Sequence, residues 1–240
     1  MRFITGTDYE EVSLEAAKIF AEQIKAKPDS VLGLATGSTP LGMYRELIRL
    51  YKAGELDFSR LTTVNLDEYY PLAPDHPQSY RYFMNENLFN HINIDPARTY
   101  VPDGLAVEPA AACAAYDMQI ERLGGIDLQL LGIGENGHIA FNEPADELVA
   151  GTHITDLTES TIRANSRFFE SEADVPRKAM TMGMGSILHA RRIVLIACGK
   201  NKHEAVAALQ GGRVTPHIPA TLLKLHPDVT VICDKEAFLG

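Results

Sequence analysis

The sequence predicts an α/β protein built on one doubly wound, mostly parallel sheet with helices on both faces. Short and almost uninterrupted apolar runs recur along the chain, as in parallel strands that are covered on both faces. A segment with helical spacing of its apolar residues follows most of these runs, and this alternation is typical of doubly wound sheets. No repeat, low-complexity segment or Pro/Gly/Ser-rich linker divides the 240 residues. We therefore expect a single domain over 1–240.

The individual elements follow from the same pattern. The predicted strands are Val31–Thr36, Leu61–Leu66, Asp127–Ile133, Arg192–Ala197 and Val229–Cys233. Helices are predicted where apolar residues recur with a period near 3.6, as at positions 41, 44, 47, 48 and 51. The predicted helices are Tyr9–Lys25, Leu41–Lys52, Ser79–Phe89, Pro109–Leu123, Val175–Leu188 and Asn201–Leu209. Together they predict a Rossmann-like order of strands and helices.

Composition excludes several classes of protein. The formal net charge is −10, with 22 Lys+Arg against 32 Asp+Glu, and no basic cluster is present, so we expect no nucleic-acid partner. No stretch of about 18 apolar residues is present, so we expect no membrane span. Acidic residues stand where a signal peptide would be apolar, and the 3 cysteines are widely spaced. We therefore expect a cytoplasmic protein with reduced thiols.

In an open parallel sheet the site lies beyond the carboxyl ends of the strands, which directs attention to 36–40, 67–70, 132–143 and 198–203. In the first of these, Gly37 permits a sharp turn, and Ser38 and Thr39 place hydroxyls beside the start of a helix. Such a turn is suited to an anion. Ordinary helix capping by Ser or Thr is the alternative.

The segment 132–137 reads GIGENG and matches the dinucleotide pattern GxGxxG. Pro144 falls where the helix of that motif should continue, and the match lies in the middle of the chain, so a nicotinamide oxidoreductase is the weaker interpretation. We favour a tight loop that holds Asn136, His138 and Glu143 above the strand ends, with His138 as a base oriented by a carboxylate. A structural histidine beside a surface glutamate is the alternative.

Asp67 and Glu68 directly follow the second predicted strand. Because adjacent residues of an extended segment point in opposite directions, one of the two can face the site, and a carboxylate partly removed from water can serve as a general base. A loop acid that caps the following turn is the alternative. Arg163 and Lys202 are the candidates, by position, for holding a phosphate, and a solvated surface side chain is the alternative for each. No HExxH, CxxC or GxSxG motif is present, so we expect no metal, no cofactor and no acyl-enzyme chemistry.

Five segments in this order resemble the glucosamine-6-phosphate deaminase family, and the resemblance extends over essentially the whole chain. They are LGLATGSTPLGMY (32–44), TVNLDEYYPL (63–72), LLGIGENGHIAFNEP (130–144), TIRANSRFF (161–169) and AMTMGMGSI (179–187). LDEY and GHIAFNEP are specific to that family, whereas TGSTP is shared more widely among sugar-phosphate proteins. The resemblance implies conversion of glucosamine 6-phosphate and water to fructose 6-phosphate and ammonia.

The resemblance also implies roles for individual residues. Asp67 would move the proton between C2 and C1, His138 would open the sugar ring, and Glu143 would orient the imidazole. Asn136 stands where family members carry Asp or Asn, and here it would orient His138 by hydrogen bonding. The phosphate would bind to one set of residues: Gly37, Ser38, Thr39, Arg163 and Lys202.

The chain departs from the allosteric members of the family, which carry extra cations after FNEP. Residues 145–157 read ADELVAGTHITDL and contain no Lys or Arg, so we expect hyperbolic kinetics and favour a monomer over a homo-oligomer. We also expect 144–175 to close over the phosphate as a lid. The alternatives are a 6-phosphogluconolactonase-type hydrolase and a phosphosugar-binding domain without activity.

Overall fold

A computed structural model describes residues 1–159, 162, 169 and 175–240. Its strands are β1 (Arg2–Gly6), β2 (Val31–Leu34), β3 (Thr62–Asn65), β4 (Asp67–Tyr70), β5 (Thr99–Tyr100), β6 (Leu128–Leu131), β7 (His153–Asp156), β8 (Lys178–Thr181), β9 (Ile193–Ala197) and β10 (Val229–Asp234). Its α-helices are α1 (Tyr9–Ala26), α2 (Leu41–Lys52), α3 (Tyr80–Asn87), α4 (Pro109–Arg122), α5 (Met184–Leu188), α6 (His203–Gln210) and α7 (Lys235–Leu239). Short 3₁₀ turns connect several of them.

Seven of the described strands form one parallel sheet in the order β1–β10–β9–β6–β2–β3–β5. From the central strand β2 the chain proceeds outward through β3 and β5, and it then returns to fill the other half from β6 onward. The direction of winding therefore reverses between β2 and β6, which lie side by side with Leu32 opposite Leu128. This doubly wound α/β sheet confirms the predicted fold class, and the reversal is the point at which such sheets bind ligands.

The sheet is buried on both faces, as the apolar runs predict. Every residue of β2, β3, β6, β9 and β10 is buried. Helix α1 begins at the Asp8 cap, whose side chain accepts a hydrogen bond from the Glu11 N–H, and it packs on β10 and β9. Its buried face includes Phe20, which is inaccessible to solvent. The central strand ends are thereby fixed within a continuous core.

A second, three-stranded antiparallel sheet stands at the carboxyl edge of the first, in the order β4–β8–β7. The prediction of one helix over Val175–Leu188 is therefore partly wrong. The segment forms a strand at Lys178–Thr181 and a helix only from Met184. Ala and Met favour a helix locally, but pairing with β4 and β7, distant in sequence, determines the strand. The sheet joins the core through the Met182 N–H, which donates to the Leu66 carbonyl at 2.8 Å.

The expected lid, 144–175, is described in part. Its first half contains β7, which is paired to β8. Arg163 and most of its neighbours lie outside the described residues. Among the described residues, no helix is both long and apolar enough to cross a membrane. The three cysteines, Cys113, Cys198 and Cys233, are unpaired.

Candidate active site

A cavity of about 290 Å³ opens at the carboxyl ends of β2 and β6, where the winding reverses. Loops after both strands, the start of β4 and the first residue of α3 supply its walls. The lining residues are Ala35, Thr36, Gly37, Thr39, Leu66, Asp67, Tyr80, Gly132, Ile133, Gly134, His138, Ala140 and Phe141. The structure therefore brings Asp67 and His138 into one cavity, although they are far apart in sequence.

Asp67 is the first residue of β4 and is 7% exposed. It pairs with Thr181 of β8, so a strand and not a loop fixes its backbone. Burial raises the pKa of Asp67 to about 8, and the charge of Glu68 adds to this rise. A carboxylate withdrawn from water and open to a cavity is suited to proton abstraction near neutral pH.

Glu68 points away from the cavity, as the alternation of an extended strand requires. Its carboxylate accepts hydrogen bonds from the backbone N–H groups of Tyr69, Tyr80 and Arg81 at 2.8–2.9 Å. Two of these donors belong to the first turn of α3. Of the two neighbouring carboxylates, one is therefore directed at the cavity and the other at a helix.

Tyr80 lines the cavity and belongs to a group of stacked rings. Its ring is parallel to Phe141 with centroids 6.3 Å apart, and it lies 4.8 Å from the ring of Tyr69. Burial raises the pKa of Tyr80, so the phenol stays protonated. The sequence does not indicate Tyr80 as a site residue, because the periodicity that predicts α3 does not show that its first residue faces a strand end.

His138, which lines the cavity, forms a hydrogen-bonded group with Asn136 and Glu143 on the loop after β6. The Asn136 Oδ1 lies 2.9 Å from the His138 Nδ1, and the Asn136 Nδ2 donates to the Glu143 Oε2 at 2.8 Å. The Glu143 Oε2 lies 3.5 Å from the same Nδ1. Because both nearby oxygens are acceptors, they favour a proton on Nδ1 and leave Nε2 with a lone pair to act as a base.

The backbone of this loop depends on glycine at two positions. A Cβ on Gly134 would lie 2.2 Å from the His138 Nδ1, and Gly137 has a φ of +81°. Residues 132–152, all described, contain no helix. The loop therefore lacks the helix N-terminus that a dinucleotide pyrophosphate needs, which leaves the GxGxxG match without structural support.

The loop after β2 has the features expected of an anion site. Gly37 has a φ of +89°, and both Gly37 and Thr39 line the cavity. Helix α2 begins after Pro40 without a side-chain cap, so the capping alternative for Ser38 and Thr39 is wrong. Ser38 instead lines a neighbouring groove of about 320 Å³ that shares Gly37 and Tyr80 with the cavity.

Lys202 lies on the turn after β9 and is half-buried, outside the lining of the cavity. Burial lowers the pKa of Lys202, and the nearby charge of Glu135 acts against this change. The Asn201 Nδ2 donates to the Glu135 Oε1 at 2.7 Å, which ties this turn to the loop that carries His138. The predicted partner cation, Arg163, lies outside the described residues.

The described residues contain no group of three or more His, Cys, Asp or Glu side chains that could hold a metal ion. What they do present is two acid–base groups in a cavity beside a turn suited to an anion. This arrangement can move protons on a small anionic molecule.

Comparisons with known proteins define the family. The family model for glucosamine-6-phosphate isomerases and 6-phosphogluconolactonase matches residues 8–232. A glucosamine-6-phosphate deaminase of Clostridium perfringens is 60% identical over 237 residues, which are 99% of this chain and 98% of that one. A relative of the same name from Halothermothrix orenii is 59% identical over 237 residues, again 99% and 98% of the two chains.

Comparison with solved structures indicates the same family as the sequence comparisons. A monomeric glucosamine-6-phosphate deaminase superposes with a TM-score of 0.96 at 49% identity, covering 99% of this chain and 98% of that one. A 6-phosphogluconolactonase of Trypanosoma brucei has a TM-score of 0.77 at 21% identity, covering 98% and 97% of the two chains, and shares the fold. The chain belongs to the glucosamine-6-phosphate isomerase/6-phosphogluconolactonase family.

Proposed function

We propose that this protein converts glucosamine 6-phosphate and water to fructose 6-phosphate and ammonia. The observation that carries the proposal is the convergence of buried Asp67 and hydrogen-bonded His138 on one cavity. The reaction needs two separate proton transfers, one on ring oxygens and one at carbon. The whole-chain similarity to deaminases at 60% identity supports the same activity.

In the first step, His138 moves a proton from the anomeric hydroxyl to the ring oxygen and opens the ring. Its Nε2 carries the lone pair, because Asn136 and Glu143 surround Nδ1 with acceptors. The imidazolium formed during this transfer is stabilised by the Glu143 carboxylate. Asn136 fixes the orientation of the His138 imidazole by hydrogen bonding and does not transfer a proton itself.

In the second step, Asp67 removes the C2 proton and delivers a proton to C1. As the double bond moves from C1–O to C2–N, the C1 oxygen gains a proton and the amino nitrogen loses one. Water then hydrolyses the C2 imine, which releases ammonia and leaves the ketone. Removal of the carbon-bound proton is the most difficult step of the reaction, so Asp67 carries the larger share of catalysis. Its burial makes the carboxylate a stronger base than an exposed aspartate.

The phosphate is held by the loop of Gly37, Ser38 and Thr39, with Lys202 and Arg163 as cations. We further propose that the protein is a monomer, as is the glucosamine-6-phosphate deaminase that superposes at 49% identity. We also propose that it acts in amino-sugar breakdown in the cytoplasm, where unpaired thiols persist. A 6-phosphogluconolactonase activity has less support, because lactone hydrolysis needs no base at carbon.

The test is Asp67→Asn, assayed for ammonia release and for exchange of the C2 proton with deuterated water. We expect both rates to fall about 10²–10⁴-fold while phosphosugar binding is largely retained. Asp228→Asn, which changes an aspartate at the amino end of β10, is the matched control and should retain both rates. Lactone hydrolysis without ammonia release by the wild type, or binding without turnover, would refute the proposal.

A further inference from the structure

Glu68 is a buried acid that neither reaction step uses. It is 2% exposed, and a buried carboxylate is costly unless its charge is compensated. Its neighbour Asp67 faces the cavity, whereas Glu68 faces the start of α3. Its position between the strand of the base and a helix that lines the cavity suggests a role in the reaction.

The carboxylate takes over part of the capping of α3. The Oε1 accepts from the Tyr80 N–H at 2.8 Å, and the Oε2 accepts from the Arg81 N–H at 2.9 Å. The side chain of the local cap, Ser79, accepts a hydrogen bond from the Tyr82 N–H. A side chain from another element therefore satisfies two of the free N–H groups at this helix end, and it fixes the helix against β4.

Tyr80, which Glu68 holds through its N–H, is also the residue of α3 that lines the cavity. Tyr80 has its N–H bound by Glu68 and its ring in the cavity wall, parallel to Phe141. A shift of the first turn of α3 would move this ring directly. A misplacement of about 1 Å at a reacting site can lower rates 10²-fold.

The charge of Glu68 also acts on Asp67, whose pKa it raises in addition to burial. Burial raises the pKa of Glu68 itself, and the N–H groups of Tyr80, Arg81 and Tyr69 act against that rise. The other titratable or charged described groups near the pair are the Arg81 guanidinium, the phenols of Tyr69, Tyr80 and Tyr116, and His138, which lines the same cavity as Asp67.

We propose that Glu68 is a positioning residue for the reaction: it fixes Tyr80 in the cavity wall by holding the N-terminus of α3, and it places a negative charge beside Asp67. The inference rests on the proposed function. It assigns to the second acid of the LDEY segment the task of keeping the first acid basic.

Two variants separate this role from a merely structural one. Glu68→Gln keeps the size of the side chain but removes its charge and one strong acceptor. Ser79→Ala removes the neighbouring cap and leaves the charge in place. In Glu68→Gln the acid limb of kcat/KM against pH should move to lower pH, and KM for glucosamine 6-phosphate should rise about three- to tenfold. In Ser79→Ala we expect a lower Tm and an unchanged acid limb.

An unchanged acid limb in a folded Glu68→Gln protein would overturn the proposal, as would an equal shift in Ser79→Ala. If Glu68→Gln does not fold, Glu68→Asp replaces it, because it keeps the charge but is one methylene too short for α3. That variant should raise KM without moving the acid limb, and wild-type kinetics would contradict the positioning role. Failure of the wild type to release ammonia would instead refute the proposed function.

Discussion

The two walls of the cavity prepare their acid–base groups in different ways. On β4, Asp67 and Glu68 are 7% and 2% exposed, and burial dominates the rise in the pKa of Asp67. On the loop after β6, the side chains of His138 and Glu143 are 31% and 17% exposed, and hydrogen bonds fix the imidazole. One wall tunes a base by excluding water, and the other orients a base that water still reaches.

The difference follows from what each residue must do. A base for a carbon-bound proton must be strong, and desolvation strengthens a carboxylate. A base that transfers protons between oxygens needs the correct tautomer and orientation, which a network of acceptors provides. Substitutions on β4 should therefore change how stability and activity depend on pH, and substitutions on the loop should change the orientation of the imidazole.

The largest effect expected from this comparison is on stability. A carboxyl whose pKa is about 8 in the folded state and near 3.8 in the unfolded state binds its proton more tightly when folded. The contribution of this carboxyl to the free energy of unfolding is fully present below pH 4 and is lost as the pH rises towards 8. Asp67→Asn cannot ionise, so its stability relative to wild type should rise between pH 4 and 8, by at most about 5 kcal/mol. Urea unfolding at several pH values measures this.

Asp57 gives a control of opposite sign. Hydrogen bonds from the Ser59 backbone, then from Asn93, lower the pKa of Asp57. Its contribution to stability is therefore present at neutral pH and is lost on acidification. Asp57→Asn should be less stable than wild type at pH 7, and the difference should shrink in acid. A pH-independent gain in Asp67→Asn would show that burial does not set the pKa of the base.

A smaller effect is expected on the loop. A methyl group at position 134 would lie 2.2 Å from the His138 Nδ1, so Gly134→Ala must displace the imidazole from Asn136. We expect a stability loss of about 1–3 kcal/mol and a fall in kcat/KM of about 10²-fold. Unfolding and steady-state assays measure the two effects.

Gly212→Ala is the matched control, because a Cβ at Gly212 meets no atom within 4 Å. It should leave kcat/KM unchanged. If Gly134→Ala retains wild-type activity, the position of the imidazole in the structure is not the one that reacts.

The sequence predicts the interior of the large sheet well and its margins poorly. All five predicted strands are present, because a strand buried on both faces must be apolar throughout. The edge strand β1 (RFITG) and the two-residue β5 are partly exposed, so they lack that signal. The small sheet depends on pairing between β4, β7 and β8, and such non-local pairing leaves little trace in local sequence.

The same distinction holds for the site. Asp67 and His138 can be expected to converge because each follows a buried parallel strand, and the carboxyl ends of such strands share one edge. The roles of Glu68 and Tyr80 depend on where α3 begins in space. No periodicity indicates that its first N–H groups meet a carboxylate from β4.

The smallest expected effect concerns Asn136. Its Oδ1 is 2.9 Å from the His138 Nδ1, but the Glu143 Oε2 lies 3.5 Å from the same nitrogen. In Asn136→Ala the glutamate can move the short distance needed to accept that hydrogen bond. One hydrogen bond contributes about 0.5–1.5 kcal/mol, so kcat/KM should fall about two- to tenfold.

Glu143→Gln and the double variant complete a mutant cycle. If the two residues share the orientation of the imidazole, the double variant should lose more than the product of the single losses, because each partner compensates for the other. Strictly multiplicative losses would show that they act independently. A fall beyond about 10²-fold in Asn136→Ala alone would mean that the amide does more than orient His138, because one neutral hydrogen bond contributes only about 0.5–1.5 kcal/mol.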